Sequence, residues 1–248
     1  DKPVKKATLC ATAMGTYVPR FNGQRLGKGV LAPGWTCYRE RVQYQTYDVT
    51  ALLEKENTIS IGAGQGWAVG DIGFKSNNRY FVDQISIFAW LDILFTDGTK
   101  TCVATDESWN VFTNEVTLTE IYHGETVDKT APIEYVGKAK LDPTVKSKLV
   151  PQDGEWITEH ERLAPVEVFR TPKGELVLDF GQNMTGYVQF KIKGNKFIGD
   201  YYENYYCRLW KSCGKLYKIR RYLWQRKFIM KQRRGKRCYL VQDSCMMR

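Results

Sequence analysis

Residues 84–95 read QISIFAWLDILF, and they run through Thr96-Asp97-Gly98-Thr99 into KTCVA at 100–104. Ile85, Ile87, Ala89, Leu91 and Ile93 fall at every second position, the spacing that turns one face of an extended strand toward a core. The Asp-Gly step between the two runs supplies the backbone freedom a hairpin turn needs. This segment is therefore read as an antiparallel hairpin, and an antiparallel hairpin is a unit of an all-β fold.

The neighbouring sequence agrees. Residues 7–18 form an extended run that leads to Phe21-Asn22-Gly23-Gln24, centred on an Asn-Gly pair that tolerates positive φ. Helix is scarce: the best candidate is a short turn at 49–53, with Asp48 or Thr50 placed to accept its free backbone N–H groups. Short strands punctuated by Gly, Asn and Asp, without alternating helices, favour an antiparallel sandwich over a parallel α/β sheet.

Around 149–165 the pattern breaks into a charged stretch marked by Pro151, Gly154 and Pro165, which reads as a linker between two β units. Further strands are expected at 167–169, 176–180 and 187–192, with Gly181 and Gly186 flanking the last turn. The expected organisation is thus a β-sandwich over 1–148, a linker over 149–165, the start of a second sandwich over 166–197, and a tail over 198–248.

The tail differs in kind. The chain of 248 residues carries a formal net charge of +10, but residues 198–248 hold 14 Lys+Arg against 3 Asp+Glu, and residues 1–197 hold 23 against 24. The body is electrically neutral, so an argument for nucleic acid or a membrane surface concerns the tail alone. Basic and aromatic residues mix there without sustained period, although Leu216, Ile219, Leu223 and Phe228 would share one side of a basic amphipathic helix. No apolar run approaches the ~18 residues a membrane-spanning helix needs. The chain opens on Asp1 with no export signal following it, and is read as beginning inside a longer protein.

Catalytic motifs are few. Gly62-Ala63-Gly64-Gln65-Gly66-Trp67 lacks the G-x-G-x-x-G spacing of a dinucleotide site and reads as a tight passage from strand to loop. Glu120, Glu125 and Asp128 form an acidic cluster of the type a glycosidase uses, and equally of the type any solvated loop carries. Asn183-Met184-Thr185 is formally a glycosylation sequon inside a Gly-rich turn. Cys10, Cys37 and Cys102 lie far apart, with no C-x-x-C pair and only His123 and His160 as imidazoles, so thiols are expected rather than a zinc site or a disulfide framework.

Aromatic residues carry more. Trp35, Tyr38, Trp67 and Tyr80 stand near loops instead of strand centres. Flat rings beside polar groups suit the C–H face of a sugar, and they equally suit the closing of a sandwich end.

Residues 30–48 (VLAPGWTCYRERVQYQTYD), continuing through Val49-Thr50-Ala51-Leu52-Leu53, resemble the N-terminal domain of bacterial α-L-rhamnosidases. The similarity extends through Gly64-Gln65-Gly66-Trp67, Thr105-Asp106-Glu107-Ser108-Trp109 and Tyr122-His123-Gly124-Glu125-Thr126-Val127-Asp128. It resumes in Asp179-Phe180-Gly181-Gln182-Asn183-Met184-Thr185-Gly186-Tyr187, covering about residues 5–197 in all.

The resemblance implies an all-β chain: a galactose-binding-like jelly-roll β-sandwich, then part of a concanavalin-like sandwich. The tail over 198–248 matches nothing in that family, and its abrupt change of composition reads as an aberrant basic segment that is out of frame or disordered. It implies a parent glycosidase that removes terminal α-L-rhamnose with inversion, using two carboxylates in an (α/α)₆ barrel that this chain does not include. No catalytic residue is therefore assigned. The implied partners are rhamnose-containing glycans and the parent enzyme's catalytic domain, with neither nucleic acid nor membrane expected. Some relatives bind rhamnose through calcium, which takes about six to eight oxygens. The candidate ligands by position are Glu40, Asn78 and Asp83; Cys37 stands where many relatives have a polar or acidic residue, and Arg39 puts a cation beside it. Trp35, Tyr38, Trp67 and Tyr80 are the candidate sugar-facing residues.

Overall fold

The computed structural model describes residues 2–72, 79–121, 124–127, 131–170, 172, 176–186, 191–193, 196–198, 216–219, 223–233 and 237–242. The chain divides into two compact units, one of Asp1–Val111 with Val136–Glu159 and the other of Phe112–Tyr135 with His160–Arg248. Its first strands are β1 (Val4–Met14), β2 (Thr16–Phe21), β3 (Gln24–Arg25), β4 (Arg41–Asp48), β5 (Ile59–Gly64), β6 (Ser86–Phe95) and β7 (Lys100–Ala104). There follow β8 (Asn110–Phe112), β9 (Val116–Glu120), β10 (Gly124–Val127), β11 (Tyr135–Lys138) and β12 (Lys148–Pro151). The last are β13 (Glu167–Arg170), β14 (Leu176–Thr185), β15 (Lys191–Lys193), β16 (Lys196–Ile198), β17 (Leu216–Ile219), β18 (Leu223–Arg233) and β19 (Arg237–Gln242). Among the described residues, helix is limited to one 3₁₀ turn at Thr50–Leu52 and one α-turn, α1 (Gly66–Val69), neither long enough to cross a membrane.

In the first unit a five-stranded sheet, β12-β4-β1-β6-β7, faces a three-stranded sheet, β3-β2-β5. Leu9, Ala11 and Ala13 of β1, Tyr47 of β4 and Ala89 and Leu91 of β6 meet Tyr17 and Phe21 of β2 between them. Alanines at the centre of β1 leave room for the large rings opposite. Burying side chains the size of Leu9 or Phe21 contributes about 1.5–3 kcal/mol each. The architecture is the sandwich the sequence implies.

The deciding hairpin forms as read, with Leu91 opposite Val103 and Ile93 opposite Thr101. Ile87, Ala89, Leu91 and Ile93 face the core, whereas Ile85 precedes the strand and is 38% exposed. Asn22 and Gly23 take φ of 49° and 78° in the two-residue turn between β2 and β3. At 49–53 the turn is 3₁₀, and Asp48 accepts from both the Thr50 N–H (3.0 Å) and its hydroxyl (2.6 Å).

The linker expected over 149–165 is corrected at its start. β12 pairs in parallel with β4, Trp156 packs against the core beside Tyr47, and Gly29 forms a bridge with Thr158. Pro151 and Gly154 suggested a break, but Pro151 sits at the end of an edge strand, where a missing N–H costs nothing.

The second unit contains a seven-stranded sheet, β13-β14-β18-β19-β17-β10-β9, and a separate β15-β16 pair. β14 continues through the turn expected at Gly181, with an irregular register between Asp179 and Met184. The expectation of a basic helix over 216–234 is corrected where the chain is described. Residues 216–219, 223–233 and 237–242 are strands, and β18 pairs Leu176 with Met230 and Leu178 with Phe228. The backbone groups along the free side of β14 demand hydrogen-bond partners, and that demand outweighs a loose helical period. Residues 187–190, 199–215 and 243–248 lie outside the described residues.

Candidate functional site

The loop from β3 to β4 is anchored at its start by the core of the first unit. The Tyr17 N–H donates to the Ala32 carbonyl (3.0 Å), and the side-chain amide of Gln45, only 1% exposed, donates to the Pro33 carbonyl (3.2 Å) and to Gln152 Oε1 (2.6 Å). The Tyr17 hydroxyl lies 2.5 Å from Gln45 Oε1, 2.6 Å from the Ala11 carbonyl and 3.2 Å from the Tyr47 hydroxyl. Burial first, and then Tyr47, holds the Tyr17 phenol far above its ordinary range; burial pushes Tyr47 up to about 12. The neutral network is a fixed polar peg inside the sandwich.

Past that anchor the loop turns at Gly34 (φ 92°), whose N–H donates to the Leu31 carbonyl at 2.9 Å. Tyr38 folds back so that its hydroxyl donates to the Gly34 carbonyl (2.5 Å), and the Ser147 hydroxyl donates to the Tyr38 carbonyl. At 1% exposure Tyr38 lies inside the second core cluster, with Met14, Val42, Ala68 and Val69. Burial alone raises its phenol well above the usual range.

Trp67 arrives on α1. Gly66, which opens that turn, has φ of 53°, and a Cβ there would stand 2.7 Å from the Gly15 carbonyl carbon and 2.8 Å from the Thr16 nitrogen. Only glycine fits so close to another backbone, which is the tight passage the sequence suggests. Residues 79–83 then dock on α1, with the Arg79 N–H donating to Val69 (2.9 Å) and the Val82 N–H to Ala68 (3.4 Å).

These three pieces bring Trp35, Tyr38, Trp67 and Tyr80 together around Phe81. The Trp35 ring meets Tyr38 at 6.3 Å, Trp67 at 6.1 Å and Phe81 at 5.9 Å, each nearly edge-on; Phe81 also meets Tyr38 at 5.2 Å and Tyr80 at 4.9 Å. Edge-to-face packing suits the ring quadrupoles and leaves Trp35 standing upright, 54% exposed. The four residues differ in kind: Trp35 and Tyr80 reach solvent, Trp67 is half-buried, and Tyr38 props the others from beneath.

Two members escape a reading by loop position. Phe81 is the hub although it follows directly on Tyr80, and Arg39 stacks its guanidinium over Tyr80 (4.8 Å) and more distantly over Phe81 (5.9 Å). Arg-Tyr stacking leaves no local mark when the partners are 41 positions apart.

Of the candidate calcium ligands, Glu40 and Asp83 are exposed and Asn78 lies outside the described residues. No group of three or more His, Cys, Asp or Glu side chains is gathered among the described residues. Within the acidic cluster Glu120 is buried on β9, whereas Asp128, like His123, and the side chain of Glu125, like that of Asn183, lie outside the description.

The sequence family described as α-L-rhamnosidase N-terminal domain matches residues 2–180. The chain belongs to this family of α-L-rhamnosidase N-terminal domains. An α-L-rhamnosidase of Streptomyces avermitilis is 32% identical over 206 residues, covering 78% of this chain and 20% of the relative. The crystal structure of the α-L-rhamnosidase of that organism complexed with L-rhamnose superposes with a TM-score of 0.67 at 31% identity, over 74% of this chain and 19% of that one. The native enzyme of Aspergillus terreus gives 0.70 at 33% identity, over 79% and 24%. This α-L-rhamnosidase N-terminal domain chain therefore spans about a fifth of the length of the curated relatives it matches.

Proposed function

We propose that the first unit is a sugar-facing accessory module of an α-L-rhamnosidase, and that it presents Trp35 to terminal L-rhamnose without cleaving the glycosidic bond itself. The observation that carries this reading is the upright, half-exposed Trp35 ring held by Tyr38, Trp67 and Phe81. Rhamnose is a 6-deoxy sugar whose methyl and C–H face are apolar, so an indole face removes apolar surface from water on both partners. The kinship with rhamnosidases, one of them solved with L-rhamnose, supports the choice of sugar. Catalytic carboxylates belong to the remainder of the parent enzyme in this reading, and rhamnosyl glycans and that catalytic domain are the partners.

Titration of the full chain with L-rhamnose, followed by tryptophan fluorescence, tests it. Saturation on the order of millimolar, about −4 kcal/mol, is expected, and Trp35→Ala abolishes it. Repeating the titration with added calcium tests whether Glu40 and Asp83 take part in ion binding. An aryl rhamnoside should remain intact, and turnover by the purified chain overturns the accessory role.

A support role is the second reading, favoured by Val103, Val136 and Leu141, apolar side chains exposed on the same unit. A flat sugar titration leaves that reading standing and removes the first.

A further inference from the structure

We propose that Arg39 makes this site selective for an acidic rhamnoside, in which the sugar next to rhamnose carries a carboxylate. The inference rests on the sugar-facing reading above and adds the chemistry of the second sugar. Tyr80, with Trp35 the most exposed ring of the cluster, does not offer both faces to a ligand: the guanidinium of Arg39 lies over one of them at 4.8 Å. Arg39 Nη2 also donates to the Tyr80 carbonyl at 2.9 Å. Ring and carbonyl together hold the side chain in one direction, whereas a merely solvated arginine would sample many.

That contact occupies one donor of a planar fork that has five. Arg39 is exposed, and among the described residues no carboxylate comes within 4.0 Å of it, Glu40 and Asp83 included. An oriented guanidinium with unused parallel N–H groups matches a carboxylate in bidentate fashion, and a neutral sugar has no group of that charge to offer. Trp35 and Arg39 both stand 5.9 Å from the Phe81 ring centre, so the two border one ring, and a disaccharide laid across it would meet both. Tyr80 then serves as the pedestal of the cation, and Trp35 as the face for rhamnose.

The test compares two disaccharides on the full chain by calorimetry at low salt, α-L-rhamnosyl-glucuronic acid and α-L-rhamnosyl-glucose. The acidic one should bind about tenfold more tightly, as a charge-assisted hydrogen-bond pair contributes, and the ratio should shrink with added salt. Arg39→Gln should erase the ratio, and Arg39→Lys should retain only part of it, because the ammonium keeps the charge and loses the fork. Equal binding of both disaccharides overturns the role of Arg39 and leaves the sugar reading intact; so does a ratio that survives Arg39→Gln. No binding of either removes both proposals together.

Discussion

The buried amide of Gln45 donates to the carbonyl of Pro33 at 3.2 Å, and so joins the middle of β4 to the loop that displays Trp35. The same amide reaches Gln152, beyond the end of β12. One side chain thus ties the centre of the sandwich to the exposed site and to the segment after β12. Its loss should be felt in all three places.

Gln45→Leu should lower stability by several kcal/mol, since each buried polar group left without a partner costs about 1–3 kcal/mol. Tyr17→Phe should cost less, because the Ala11 carbonyl retains its strand contacts while Gln45 Oε1 loses a donor. Urea denaturation measures both. Near-UV circular dichroism of the Gln45 variant should also change through Trp35, which a loss of core stability alone would not produce in the folded state.

Gly66→Ala should destabilise by about 2 kcal/mol or more, combining a positive φ with a Cβ 2.7 Å from backbone. Gly23 has φ of 78° but open space around a built Cβ, so Gly23→Ala should cost only about 1 kcal/mol. Comparable losses in the two variants would show that the close approach at Gly66 is relieved by backbone movement.

Alkaline stability should follow Tyr47. Burial raises its folded pKa from 10.0 to about 12, so the folded state holds its proton more tightly than the unfolded chain. The contribution is complete below pH 10 and is lost as pH rises toward 12. A Tm profile over that range should fall more gently in Tyr47→Phe.

Asp142 should act at the acid end. The Ser86 hydroxyl, and then that of Thr144, holds its carboxyl down at about 2, against 3.8. Its contribution is present above pH 3.8 and disappears as pH falls toward 2. The Tm difference between the unaltered chain and Asp142→Asn should narrow across that window; a constant difference would contradict the hydroxyl contacts.

Thiol labelling followed by peptide mapping should find Cys10 the slowest of the three body cysteines. It is buried, and desolvation pushes its thiol up to about 11, so little thiolate exists at neutral pH. Cys37, exposed on the site loop, should react many times faster.

Much of this was legible because it is local. The period-two run ending at Ile93 has one buried face whatever it packs against, and Asn22-Gly23 makes its turn from its own backbone preferences. The aromatic candidates also came from sequence, since large rings beside turn residues are conspicuous. By contrast, Leu216, Ile219 and Leu223 fit a helix or a strand equally well over a short window, and pairing chose the strand: β18 lies against β14, and β17 between β10 and β19. Residues 148–151 carry the punctuation of a linker, and pairing with β4 made them sheet.

Sequence by itself determined that this chain is built mainly of antiparallel strands with turns at given places, because alternation and turn chemistry act within a few residues. It determined too which rings stand near loops. Tertiary structure alone decided that Tyr38 would be a buried prop, that Phe81 would be the hub and that Arg39 would lie on Tyr80. Those outcomes depend on segments more than 40 positions apart meeting at one end of a sandwich, and no local preference encodes where two distant side chains come to rest.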